Sequence, residues 1–206
     1  PIRCHTLVTE ATFGLPVFQH PDEKKEIQKL IKSLLLFPER PHLVGVYALG
    51  KAQRVINLLR LEGYDKSIFI HGSLEKLCDY YDKNHIKLGD LTKVNLSNKN
   101  QYNGQIILAP PSAIKNVWAR KFEDPIICQA SGWMAVKQRA KQSLVELPLI
   151  LSDHADWSEL TKYIKFTNAE KVYVTHGREE AIIHWCRINN IDATPLSLSG
   201  RDDEEQ

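Results

Sequence analysis

The sequence predicts an α/β fold in which a mostly parallel sheet is covered by helices. Three observations carry the prediction. Short β-rich runs alternate with stretches whose apolar residues recur at helical spacing. Several of these runs pass straight into polar or glycine-containing turns, as strands do at the carboxyl edge of a parallel sheet. A length of 206 residues, 43% hydrophobic and 25% charged, supplies one ordinary core or two small ones sharing an interface.

Taken in order, 6–9 reads as the first strand and 23–36 as a helix with one apolar face. A strand at 43–48 runs through Gly50 into a helix at 51–62. The next pair is a strand at 67–71 and a helix at 74–84. The stretch from about 87 to 104, rich in Asn, Lys and Ser, reads as an exposed connection or a weak hairpin. Strands follow at 105–108, 125–129 and 147–151, then a helix at 157–166, a strand at 171–175 and a helix at 179–189. The acidic end, 199–206, reads as frayed, and no internal repeat is present.

Composition excludes little beyond membrane and secreted classes. A formal charge of +2 permits contact with a polyanion without singling one out. Cys4, Cys78, Cys128 and Cys186 form no C-x-x-C pair, so neither a zinc ribbon nor a redox pair is indicated, and reduced thiols fit best. With no membrane-length apolar run and no signal-peptide order at the start, the expectation is a cytoplasmic protein with no membrane partner. The first residue is Pro1, and a strand begins almost at once, so a partial sequence is expected.

The strongest local signal is Leu149-Ile150-Leu151-Ser152-Asp153-His154-Ala155-Asp156-Trp157, an apolar strand ending in two carboxylates around a histidine. Such a cluster must be solvated, mutually hydrogen-bonded or ligand-bound. The plain alternative is that Ser152 or Asp153 caps the next helix and His154 only occupies the turn. A second strand delivers His176 to its end in Val172-Tyr173-Val174-Thr175-His176-Gly177, where a rigidly held imidazole suits zinc. His71-Gly72 has the same local form, so the dipeptide alone is unspecific. A third places Glu10 after Leu7-Val8-Thr9, either orienting a histidine or standing as an ordinary strand-end charge.

Two further turns suit a phosphate. In Tyr47-Ala48-Leu49-Gly50-Lys51-Ala52-Gln53-Arg54 a strand enters a helix start, where backbone N–H groups favour an anion and Lys51, Gln53 and Arg54 add donors. It is not a Walker A loop. In Ala130-Ser131-Gly132-Trp133 the Ser131-Gly132 turn presents N–H groups in the same way, and Trp133 is read as core sooner than as a base-stacking platform.

In this order the segments resemble the β-CASP nucleases of the metallo-β-lactamase superfamily. Glu10 in T-E-A-T-F-G, His154 in S-D-H-A-D-W and His176 in T-H-G match the family's motifs A, B and C. The strings T-E-A-T-F-G-L-P-V-F, Y-A-L-G-K-A-Q-R, L-A-P-P-S-A and A-S-G-W-M are similar to those of the prokaryotic ligase-associated DNA exonucleases. The implied architecture is the C-terminal part of a metallo-β-lactamase fold with an inserted α/β cap: residues 1–20 and 147–206 in the metal-binding domain, 21–146 in the cap.

The resemblance implies two zinc or manganese ions in the full-length protein, with His176 the one ligand matched in this chain. The H-x-H-x-D-H motif of the family is absent from it. His154 is implied as the group that protonates the leaving oxygen, Glu10 as its hydrogen-bond acceptor, and Asp156, with Asp153, as a supporting carboxylate in the catalytic set. Lys51, Gln53, Ser131 and Gly132 are implied to hold phosphates of a threaded single-stranded or end-containing DNA, RNA being the alternative. The implied partners are a DNA ligase and a helicase, and the implied role is DNA repair. An RNA-processing nuclease and a noncatalytic α/β module binding a nucleotide or a partner remain the competing readings.

Overall fold

A computed structural model describes residues 2–97 and 100–198. In chain order the elements are β1 (Thr6–Ala11), α1 (Glu23–Leu36), β2 (His42–Gly45), α2 (Lys51–Leu61), β3 (Ile68–Ile70), α3 (Gly72–Lys83), β4 (Leu91–Lys93) and β5 (Ile106–Ala109). They continue with α4 (Pro111–Ile114), β6 (Ile126–Ala130), α5 (Lys137–Gln142), β7 (Leu147–Leu149), α6 (Trp157–Thr167), β8 (Lys171–Gly177), α7 (Glu179–Ile188) and β9 (Asp192–Pro195). Short 3-10 turns lie between several of them.

The chain divides into two compact units, residues 21–153 and the pair of segments 1–20 with 154–206. Unit 21–153 holds a six-stranded sheet in the order β4-β3-β5-β2-β6-β7, every ladder parallel. Its central strands, His42-Leu-Val-Gly45 and Ile106-Ile-Leu-Ala109, are buried at all four positions, the pattern of strands covered on both faces. Ile27, Leu30 and Leu34 of α1 and Val55, Ile56 and Leu59 of α2 recur at helical spacing and pack into the same core. Asp22 caps α1 by accepting from the Lys24 N–H at 2.9 Å.

The other unit holds a three-stranded parallel sheet, β1-β8-β9. Leu160 and Ile164 of α6 and Ile182, Ile183 and Cys186 of α7 pack on Val172 and Val174 of β8. Asn168 ends α6 in the left-handed conformation that Asn tolerates, with φ 49°.

Four differences from the sequence reading have local causes. The stretch 87–104 is not a hairpin, because Leu91–Lys93 pairs in parallel with β3. Strand β9 contains a proline and too few β-formers to announce itself; it is recruited by β8. Helix α3 starts at Gly72, two residues early, because the His71 imidazole accepts from the Ser73 N–H at 3.1 Å. Strand β7 hydrogen-bonds to β6, pairing Leu147 with Cys128, so residues 147–153 count with the six-stranded unit instead of the segment after it. The expected frayed end at 199–206 lies outside the described residues. Among the described residues no helix is long and apolar enough to cross a membrane. The buried thiols are pushed up in pKa by desolvation, Cys186 to about 11, which makes them poor nucleophiles.

Candidate active site

The site starts at the carboxyl end of β1. Strand pairing runs in register from Thr6↔Lys171 to Glu10↔Thr175 and then jumps to Ala11↔Gly177, leaving His176 as the extra residue of a β-bulge. His176 takes φ 56°, an uncommon conformation for a residue with a side chain, and it is solvent-exposed. Gly177 follows at φ 95°, where a Cβ would stand 2.1 Å from the Ala11 carbonyl oxygen, so only glycine lets β8 approach β1 this closely. The bulge therefore turns an imidazole outward beside the strand end that carries Glu10.

The Glu10 carboxylate is fixed by the Thr12 N–H, 2.6 Å from Oε2. Its Oε1 lies 3.3 Å from Nδ1 of His154. The two side chains are 30% and 55% exposed, so the pair is held yet open to solvent. Phe13, 2% exposed, meets the His154 ring edge-on at 6.2 Å and that of His20 at 4.7 Å. Glu10 and His154 are thus brought together from positions far apart in sequence, and His176 sits one residue beyond the Glu10 pairing partner.

Asp156, expected as a supporting carboxylate, has both oxygens engaged by backbone N–H groups. It is the N-cap of α6: Oδ1 accepts from the Glu159 N–H at 2.9 Å, and Glu159 accepts in return from the Asp156 N–H at 3.0 Å. Its Oδ2 accepts from the His20 N–H at 2.7 Å, and the residue is only 6% exposed.

Lys51 and Gln53, expected to hold phosphates, are buried and engaged within the protein. Lys51 is 3% exposed; its ammonium donates to the Leu151 carbonyl at 2.8 Å and pairs with Asp153 at 3.0 Å. Burial lowers its pKa, while the Asp153 carboxylate works against that fall. Gln53, also 3% exposed, accepts from the Gly50 N–H at 2.8 Å and donates to the Ala48 carbonyl at 3.0 Å, closing the turn on itself. Arg54 adds bonds to the Ser152 carbonyl at 2.6 Å and to Asp153 at 2.9 Å, and an ion pair with Glu23. The donors that made this turn look like an anion site are consumed within the protein. Ser131 caps a four-residue 3-10 turn, accepting from the Trp133 N–H at 3.3 Å, and Gly132 is buried. Arg139 lies over the Trp133 ring, 4.0 Å from its centroid.

Phe13 and His20 carried no role in the sequence reading. Phe13 stood inside the motif string around Glu10, but no local pattern links His20 to Asp156, 136 positions away. Among the described residues no three His, Cys, Asp or Glu side chains gather so as to hold a metal ion. His176 offers one imidazole, so these residues do not by themselves make the donor set of a metal pair, and no chemical step is routed through one.

The two parallel sheets make the chain an α/β protein, with a histidine–carboxylate pair beside the end of β1. Residues 148–187 match the family model described as a Zn-dependent metallo-hydrolase RNA specificity domain. The chain is 24% identical, over 224 aligned positions, to a "Probable DNA ligase" from Opitutus terrae, covering 95% of this chain and 21% of that protein. It thus spans about a fifth of that relative's length. The fold is similar to the crystal structure of a protein of unknown function from Enterococcus faecalis V583, with TM-score 0.55 and 11% identity over 87% of this chain and 48% of that one. The match over residues 148–187 supports the resemblance to the metallo-β-lactamase/β-CASP superfamily.

Proposed function

We propose that the chain supplies the proton-donating part of a zinc-dependent phosphodiesterase, a DNA exonuclease that works with a ligase and a helicase in repair. The observation that carries this reading is the Glu10–His154 pair, 3.3 Å apart, oriented by Thr12 and Phe13 and open to solvent. When a phosphodiester P–O bond breaks, negative charge gathers on the leaving oxygen. A protonated His154 gives that oxygen its proton and becomes neutral imidazole, while Glu10 keeps the ring oriented. His176, turned out by the bulge, is the residue of this chain suited to ligate a metal.

DNA as substrate is supported by the relative named as a probable DNA ligase, within which nearly all of this chain aligns. The matched family's description names RNA specificity, and this favours an RNA-processing nuclease as the second reading. In the intact protein, His154→Ala is expected to keep its bound metal and to slow cleavage by on the order of a hundredfold to ten-thousandfold. The defect shrinks on a nitrophenyl phosphodiester, whose leaving group needs no proton. His176→Ala lowers metal occupancy instead. Metal analysis with rates on DNA, RNA and the activated ester checks all three statements. Metal loss in His154→Ala, or equal impairment on both esters, removes the general-acid role, and faster cleavage of RNA moves the substrate to the second reading.

A further inference from the structure

A helix N-cap needs one acceptor oxygen, yet Asp156 uses two. Oδ1 caps α6 through the Glu159 N–H, and Oδ2 takes the His20 N–H of a segment 136 residues away. The neighbouring Trp157 N–H donates to the Phe18 carbonyl at 3.1 Å, so two adjacent bonds tie residues 18–20 to the start of α6. The tied segment also packs as a unit. The Phe18 and His20 rings both meet Phe13 edge-on, at 5.1 and 4.7 Å, and Phe13 in turn meets His154.

We infer that Asp156 is a positioning residue for His154, acting through the His20 backbone and the Phe13 ring. His154 is half exposed and lies two residues before the cap, so the groups its ring meets help to set its orientation. Phe13 is one of those groups, and the pinned segment 18–20 packs against it. Glu10 fixes one nitrogen of the ring and Phe13 limits its swing, which holds the imidazole in one orientation at small entropic cost when a phosphate arrives. The inference rests on the reading of His154 as the proton donor, and it assigns Asp156 no contact with substrate.

Serine at position 156 separates the two duties, since its single hydroxyl can accept from Glu159 but cannot also reach the His20 N–H. The test compares Asp156→Ser and Asp156→Ala with the unaltered intact protein. It measures the melting temperature, kcat and KM on a DNA oligonucleotide and on a nitrophenyl phosphodiester, and the nitrogen-15 signals of the His154 imidazole. Alanine lowers Tm by a few degrees, and serine regains most of that loss. Serine does not regain kcat, which stays down by on the order of tenfold to a hundredfold on DNA, the scale of a misplacement of about 1 Å. KM changes little, the defect is smaller on the activated ester, and the His154 signals broaden or shift in both variants. Recovery of kcat together with Tm in Asp156→Ser overturns the inference and leaves Asp156 a simple cap. So do unaltered His154 signals in both variants. An active His154→Ala would instead sink the reading of His154, while the imidazole signals would still report whether Asp156 holds that ring.

Discussion

At the end of β1, Glu10 and His154 meet with more than half of the imidazole side chain in solvent. At the start of α2, Lys51 and Asp153 meet with the ammonium side chain 4% exposed and its donors directed at Leu151 and Asp153. In sequence the two clusters are alike, each an ionisable residue at the mouth of a strand-end turn. The fold makes one an open pair and the other a closed fastener. What separates them is exposure: Arg54, Ser152 and Glu23 complete the second network inside the protein, whereas more than half of the His154 side chain is open to solvent. A strand-end position marks where function can be placed; the exposure of the polar groups there decides whether a ligand can reach them.

The comparison is tested hardest at Asp153. Asp153→Ala leaves the buried Lys51 ammonium, among the described residues, with the Leu151 carbonyl as partner, and chemical denaturation should show a loss of about 3 kcal/mol. Lys51→Met should cost less, roughly 1 kcal/mol, because Asp153 keeps Arg54 while one buried carbonyl loses its donor. Neither should alter affinity for a single-stranded oligonucleotide, measured by fluorescence anisotropy, at a temperature where the protein stays folded. A Lys51→Met variant of normal stability with weakened DNA binding would return Lys51 to a phosphate.

Gly177→Ala probes the open site's scaffold. A methyl group 2.1 Å from the Ala11 oxygen at φ 95° forces β1 and β8 apart, so a loss of about 2 kcal/mol is expected, together with movement of the Glu10 and His154 amide resonances. Unchanged resonances there would detach the bulge from the site. Glu10→Gln should shift stability by less than about 1 kcal/mol, since the ion pair is partly solvated, yet reduce kcat by roughly tenfold. A stability loss without a rate effect would make this pair a fastener like the other.

The smallest effect is a pH dependence inside the six-stranded unit. His42 is fully buried, with its ring nitrogens 2.8 Å from Ser33 Oγ and 3.1 Å from the Arg40 carbonyl. Burial lowers its pKa below the ordinary 6.5, with the Arg40 charge pushing the same way and its hydrogen bonds and Glu146 opposing. The neutral ring therefore favours the folded state fully above pH 6.5. As pH falls the unfolded chain takes up the proton first, so stability declines until the folded-state pKa is passed and then levels off. Denaturation of the unaltered protein and of His42→Gln between pH 7.5 and 4.5 should show this slope in the first and its loss in the second, on the order of one proton per molecule.

Sequence periodicity alone determined the α/β class, most strands and helices, and the placement of Glu10 and His176 at strand ends, because alternation and apolar spacing are local properties of the chain. Strands β4 and β9 escaped, being short, polar and held by neighbours distant in sequence. Tertiary structure decided the rest. A turn such as Gly50-Lys51-Ala52-Gln53 carries the same donors whether it faces solvent or a core, and only the burial of Lys51 and Gln53 showed those donors to be spent. Likewise, Asp156 read as a carboxylate beside a histidine until the His20 N–H was found on its second oxygen. Residue types state which bonds can form; which of them do form depends on what packing brings within about 3 Å, and that is not written at any one position.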